Sequence, residues 1–165
     1  MFGKVVNLLR TLSFIQHMVL VDLNSGEVIG KVCDLCISKE GNVTGLLCEC
    51  NGFFKKRRFL PLESIHSIGE EGIMIDRDCL MKMEDDFFDY TLHHQESING
   101  RMTYSKTGDR LGLLSDVYFQ ENLGTIVGIE ISDGFFSDLL EGKLIIQTDK
   151  PPTIGKDAII VETNN

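Results

Sequence analysis

The residues best equipped for chemistry are cysteines: Cys33 and Cys36 stand in a C-x-x-C spacing, and Cys48 and Cys50 in a C-x-C spacing. Four thiolates so spaced are a familiar tetrahedral zinc set, and two make a dithiol couple. Convergence depends on the element that carries them. On a strand, residues two apart share a face and residues three apart do not. Cys48 and Cys50 are therefore expected to point together and Cys33 and Cys36 apart, so that a four-ligand site requires a bulge. The simpler expectation is buried free thiols acting as small apolar side chains, with no metal.

Lys55-Lys56-Arg57-Arg58, directly after Phe53-Phe54, is the basic cluster of the chain. It suits an acidic partner, an RNA backbone or an anionic membrane surface. As plain structure it is a solvated hairpin loop facing the acidic Glu84-Asp85-Asp86, and exposed pairs of that kind add little stability. Phe53-Phe54 and Phe135-Phe136 recur at matched turns, with one ring of each pair expected inward and the other, Phe54 or Phe136, a contact anchor or a packing residue. His93-His94 lies near no nucleophile or acidic ligand set and reads as a surface feature. Asp34 and Asp116 are expected to accept backbone N–H bonds rather than do acid–base work. With no G-x-S-x-G, H-E-x-x-H or phosphate-binding glycine loop, no catalytic residue or cofactor is expected, and the chain reads as a non-enzyme.

The elements that must position these residues come in duplicate. GEVIGKVCDLCIS from Gly26 aligns with GDRLGLLSDVYFQ from Gly108, so Gly26, Gly30 and Asp34 fall on Gly108, Gly112 and Asp116. Gly45 then meets Gly128, Gly52-Phe53-Phe54 meets Gly134-Phe135-Phe136, and Ile68-Gly69 meets Ile154-Gly155. Each copy alternates apolar and polar residues over Val28 to Ser38 and Val43 to Cys50, or Leu111 to Phe119 and Thr125 to Ser132, with turn residues between. Five or six short strands are too few for a sandwich, so a small barrel is the expected solution. Gly26 and Gly108 sit at hairpin turns that need positive φ. Gly30, Gly45, Gly112 and Gly128 lie inside strands, where glycine marks a bulge or bend. The expected division is a first repeat over 1–75, a connecting arm over 76–96 and a second repeat over 97–165. The arm is acidic yet rich in Leu, Met, Phe and Tyr, and is expected to be ordered, partly helical, and packed across the barrels.

Charge sharpens the choice of partner. Formal net charge is −9: residues 1–75 hold 8 Lys and Arg against 8 Asp and Glu, residues 76–96 hold 2 against 7, and residues 97–165 hold 6 against 10. Nucleic-acid affinity rests on neutralising phosphates, so broad RNA or DNA binding is not expected, and a basic protein partner fits better. Glu130, Asp133 and Asp138 are the acidic contact candidates. No run approaches the ~18 apolar residues of a spanning helix, and the N-terminus is not a signal peptide, so a cytoplasmic location is the default expectation.

GEVIGKVCDLCIS, GNVTGLLCEC and RRFLPLESIHSIGEEGIMI together resemble the PRC-barrel family. Residues 14 to 75 fit its pattern throughout. Residues 97 to 161 fit in the opening hairpin and depart later, where Gln147 replaces Pro61. The resemblance implies an all-β fold of two tandem small six-stranded PRC-type barrels joined by the arm. It implies no catalytic residues. Family members include the cytoplasmic domain of the photosynthetic reaction-centre H subunit and a domain of a ribosome-maturation factor. The expected function is a protein-interaction adaptor near ribosome assembly or RNA processing, with a basic ribosomal or RNA-associated partner and self-association into a homo-oligomer as a further option. A membrane-surface or electron-transfer accessory and a cysteine-based metal or redox sensor are the alternatives.

Overall fold

The computed structural model describes residues 8–52, 56–84, 86–132 and 143–163. Strand β1 (Leu9–Arg10) and one helical turn, α1 (Leu12–Ile15), lead into β2 (Val19–Asp22), β3 (Val28–Ile37), β4 (Val43–Cys50), β5 (Lys56–Pro61), β6 (Ile65–Ile68) and β7 (Gly72–Ile75). The short strands β8 (Met81–Lys82) and β9 (Tyr90–Thr91) follow. The second set is β10 (Met102–Ser105), β11 (Arg110–Gln120), β12 (Ile126–Ser132), β13 (Leu144–Gln147), β14 (Thr153–Ile154) and β15 (Ala158–Val161). The fold is all-β.

Both halves follow one path. The neighbour order β6-β7-β2-β3-β4-β5 repeats as β14-β15-β10-β11-β12-β13, strand for strand. Each contains one parallel pair, β2 with β7 and β10 with β15. The outer strands of the first path are consecutive in the chain, β5 running into β6 through the 3-10 turn Leu62–Ser64. The seam of that barrel is therefore a covalent corner, and no ladder joins β5 to β6 among the described residues.

The bulges also repeat. The β2/β3 ladder skips Ile29 and the β10/β11 ladder skips Leu111, each just before the glycine at 30 or 112. The β3/β4 ladder skips Cys33 and Thr44, and the β11/β12 ladder skips Ser115 and Val127, beside Asp34 and Gly45 or Asp116 and Gly128. A bulge bends its strand and increases the twist, which a barrel of six strands requires at its corners. The hairpin turns carry Gly26 at φ +72° and Gly108 at φ +92°.

The leading segments are exchanged. Strand β1, which leads into the first barrel, pairs with β11 of the second, while β9, which leads into the second, pairs with β3 of the first. Arg10 stands opposite Phe119 as Tyr90 stands opposite Ile37, the equivalent position. At the hairpin ends, Asn42 and its counterpart Thr125 form an antiparallel bridge, so a local twofold axis passes between them. A single apolar core runs through both halves, from Leu12, Ile15, Leu35 and Leu46 to Leu114, Phe119 and Ile129. Small barrels bury too little surface alone, and sharing a core answers that deficit.

In the stretch after β7, the ordered part is a 3-10 turn, Arg77–Cys79, and two strands rather than α-helix. The reason is local: β8 pairs with β5 and β9 with β3, so the backbone polar groups find partners on the sheet. Both of these pairings are with strands of the first half.

Candidate interaction face

Asp34 and Asp116 hold the exchanged segments. Asp34 is fully buried. Its Oδ1 accepts the backbone N–H of Leu35 at 2.8 Å, and its Oδ2 accepts those of His93 and His94 at 2.9 Å each. His94 Nδ1 lies 2.6 Å from the same oxygen. Asp116 accepts the N–H groups of Leu12 and Ser13 at 3.0 Å each and of Val117 at 2.8 Å. The Thr11 hydroxyl accepts the N–H of Phe14, as the Thr91 hydroxyl accepts that of His94. Free N–H groups at a chain turn cost stability when buried, and here a carboxylate and a threonine satisfy them twice over. His93-His94 is thus an anchor rather than an isolated surface feature; the repeated Thr-Leu at 11–12 and 91–92 was its signal in the sequence.

A third carboxylate, Asp22, ties the beginning of the arm to the first barrel. The Ser25 hydroxyl donates to it at 2.7 Å and Arg77 N–H at 3.2 Å, and the Arg77 guanidinium also pairs with Glu27. The Ser25 hydrogen bond, more than any other contact, holds the Asp22 carboxyl below the usual carboxylate range.

The cysteines divide between the two sides of the sheet. Cys48 and Cys50 face the shared core. Cys33 and Cys36 instead pack into a separate outer cluster with Leu47 and Phe59, so the expectation that they point apart is corrected: Cys33 is the bulged residue. All are free thiols. Burial pushes the thiols of Cys33, Cys36, Cys48 and Cys50 upward, Cys36 and Cys48 most. A thiol kept protonated is a poor nucleophile and ligand. Among the described residues no three His, Cys, Asp or Glu side chains converge as a metal site.

That outer cluster differs between the barrels. On the first, β8 pairs along the edge of β5, with Phe59 opposite Met81. Phe87 stacks on Phe59 with centroids 4.7 Å apart and planes 10° from parallel, and Phe88 lies 6.1 Å away. Phe59 lies so close over Gly45 that a Cβ there would stand 2.6 Å from its ring. On the second barrel, register places Tyr118 at the position of Cys36, Glu130 at that of Leu47 and Ile145 at that of Phe59. No described strand pairs with the outer edge of β13. Leu144 and Ile145 are 62% and 54% exposed. Among the described residues no phenylalanine takes the place of Phe59 above Gly128, and a cleft of about 380 Å³ lies there between Leu9, Tyr118, Val127, Ile145, Gln147 and Thr148.

The other candidates are scattered. Lys56 and Arg57 are exposed at the start of β5, with register setting Glu49 between Lys31 and Arg57. Arg58 is half-buried. Glu130 is no free acidic contact: Lys143 lies 3.3 Å from it, and Ser115 Oγ donates to it at 3.1 Å. Lys55, Phe54, Phe136, Asp133 and Asp138 lie outside the described residues.

The architecture defines a class: two all-β halves of the same six-strand order that share one apolar core. The model of the PRC-barrel domain matches residues 12–78 and again residues 92–165, and the chain belongs to that family. It is also similar to the "Uncharacterized protein YrrD" of Bacillus subtilis (strain 168), at 31% identity over 157 residues, which cover 93% of this chain and 87% of that protein. No helix among the described residues is long and apolar enough to cross a membrane.

Proposed function

We propose that this chain is a non-enzymatic docking module that engages a protein partner through the outer face and edge of its second barrel. The observation that supports this most is the asymmetry of two otherwise matched faces. On the first barrel, the edge strand and its aromatic ring are covered by the chain itself. On the second, Leu144 and Ile145 stand exposed on a strand whose outer edge is unpaired among the described residues. An apolar exposed edge is an aggregation hazard that natural proteins normally blunt, and a contiguous exposed apolar patch marks an interaction site. Strand addition supplies affinity through main-chain hydrogen bonds and specificity through side-chain pockets.

The net charge of −9 favours a partner of opposite sign, and a ribosomal or RNA-associated protein of basic character fits that condition and the family resemblance. The buried, protonated thiols weigh against the metal or redox reading. The test is affinity capture from the native cell with the wild-type chain and with Ile145→Glu. A basic partner retained by the wild type and released by the variant supports the reading; a partner retained equally by both refutes this surface.

A further inference from the structure

Resting on that reading, we infer that the cleft over Gly128 takes an aromatic side chain from an extended segment of the partner, which adds as a strand beside Leu144 and Ile145. The first barrel supplies the template. There β8 lies along Arg58 and Phe59, and a few residues on Phe87 and Phe88 fold back over the face. The two sheets share bulges, register and glycine, so a strand that adds along β5 has a matching backbone path along β13, over a face whose side chains differ.

Three observations carry the inference to the second barrel. At Gly45 the space above the glycine is taken by the Leu60 carbonyl and by the Phe59 ring, the ring 2.6 Å from where a Cβ would stand, whereas at Gly128 the nearest atoms are Ile146 O at 3.3 Å, Tyr118 Cβ at 3.5 Å and Tyr118 Cδ2 at 3.8 Å. Replacement of Phe59 by the smaller Ile145 leaves a ring-sized gap between Tyr118 and β13, which is the cleft itself. Thr148, in its wall and 8% exposed, keeps its hydroxyl without a hydrogen-bond partner among the described residues. Tyr118 offers a ring for stacking, and burial raises its phenol's pKa.

The chemistry of the partner segment differs from the template in one respect. The arm on the first barrel is acidic in sequence, and its strand β8 pairs with Arg58 and Phe59. Strand β13 reads Leu-Ile-Ile-Gln, and its neighbouring charges, Lys143 and Glu130, neutralise each other. The segment that fits is therefore apolar and uncharged next to its aromatic residue, with any basic residues of the partner lying beyond the strand.

The probe is a synthetic peptide of residues 81–90 of this chain carrying Glu84→Ser, Asp85→Ser, Asp86→Ser and Asp89→Ser, titrated into the full ¹⁵N-labelled protein. Saturable binding is expected, with resonance shifts centred on Tyr118, Gly128, Ile145 and Thr148. A peptide with Phe87→Ala and Phe88→Ala, or a protein with Gly128→Leu, should bind at least about tenfold more weakly. If Gly128→Leu lowers the melting temperature, Ile145→Ser gives the same readout on a conservative background. Absence of saturation, shifts confined to the first barrel, or indifference to these changes overturns the inference. So does a dimer that Gly128→Leu abolishes, since a second copy is then the occupant, and so does binding that needs removal of residues 1–7. Failure of the peptide while Ile145→Glu still releases the captured partner rejects the aromatic segment and keeps the docking module; the converse rejects the module.

Discussion

Asp34 and Asp116 show how one side chain decides the path of a distant segment. Each is buried in a strand and accepts backbone N–H groups of the segment leading into the opposite barrel, Asp116 with both carboxylate oxygens and Asp34 with Oδ2, while Asp34 Oδ1 takes the N–H of Leu35. Removing the carboxylate strands those donors, at about 1 to 3 kcal/mol for each buried group left unpaired. Asp34→Ala is expected to destabilise the chain by about 3 kcal/mol or more and Asp116→Ala by about 2 kcal/mol in urea denaturation. Losses below about 0.5 kcal/mol would show that the donors find other partners. Asp22 makes a pH-dependent contribution. Its folded pKa lies below the unfolded value of about 3.9, so its stabilisation is present above that pH and is lost as pH falls through the folded value. Asp22→Asn should therefore cost stability at pH 7 and converge on wild type as pH falls through the lowered folded pKa of Asp22, read from paired denaturation curves.

At the scale of elements, the same glycine position in two matched strands has two different roles. Adding a Cβ at Gly45 drives it into the Phe59 ring and the Leu60 carbonyl, whereas Gly128 meets nothing closer than 3.3 Å. Gly45→Ala is expected to cost about 2 kcal/mol or more through the overpacked contact, and Gly128→Ala under about 1 kcal/mol. Equal costs would mean that the ring over Gly45 swings away freely, and a thermal melt of the two variants decides it. The repeat makes this contrast informative, since bulge and register are held constant while the covering ring and the approach of the neighbouring strand's carbonyl change.

For the whole molecule, exchanged leading strands and a common core make each barrel depend on the other. A single cooperative unfolding transition is expected for the full chain. Residues 18–98, which keep the first barrel with the segment that binds Asp34, should retain more structure than residues 1–75, which lack it; circular dichroism and denaturation of the two fragments check this, and equal folding would contradict the dependence. Much of this design is readable along the chain. Alternating strands, turn glycines, bulge glycines and the duplication are local patterns, because each follows from backbone geometry within a few residues. The pairing of Asp34 with His93 and His94 was not readable, since residues some sixty positions apart meet only after both barrels close. Nor was the common face of Cys33 and Cys36, because one bulged residue reverses strand alternation without any mark in composition. The cleft of the second barrel belongs to the same class: Tyr118, Glu130 and Ile145 in place of Cys36, Leu47 and Phe59 are separate differences along the sequence, and only packing in three dimensions brings them to one face.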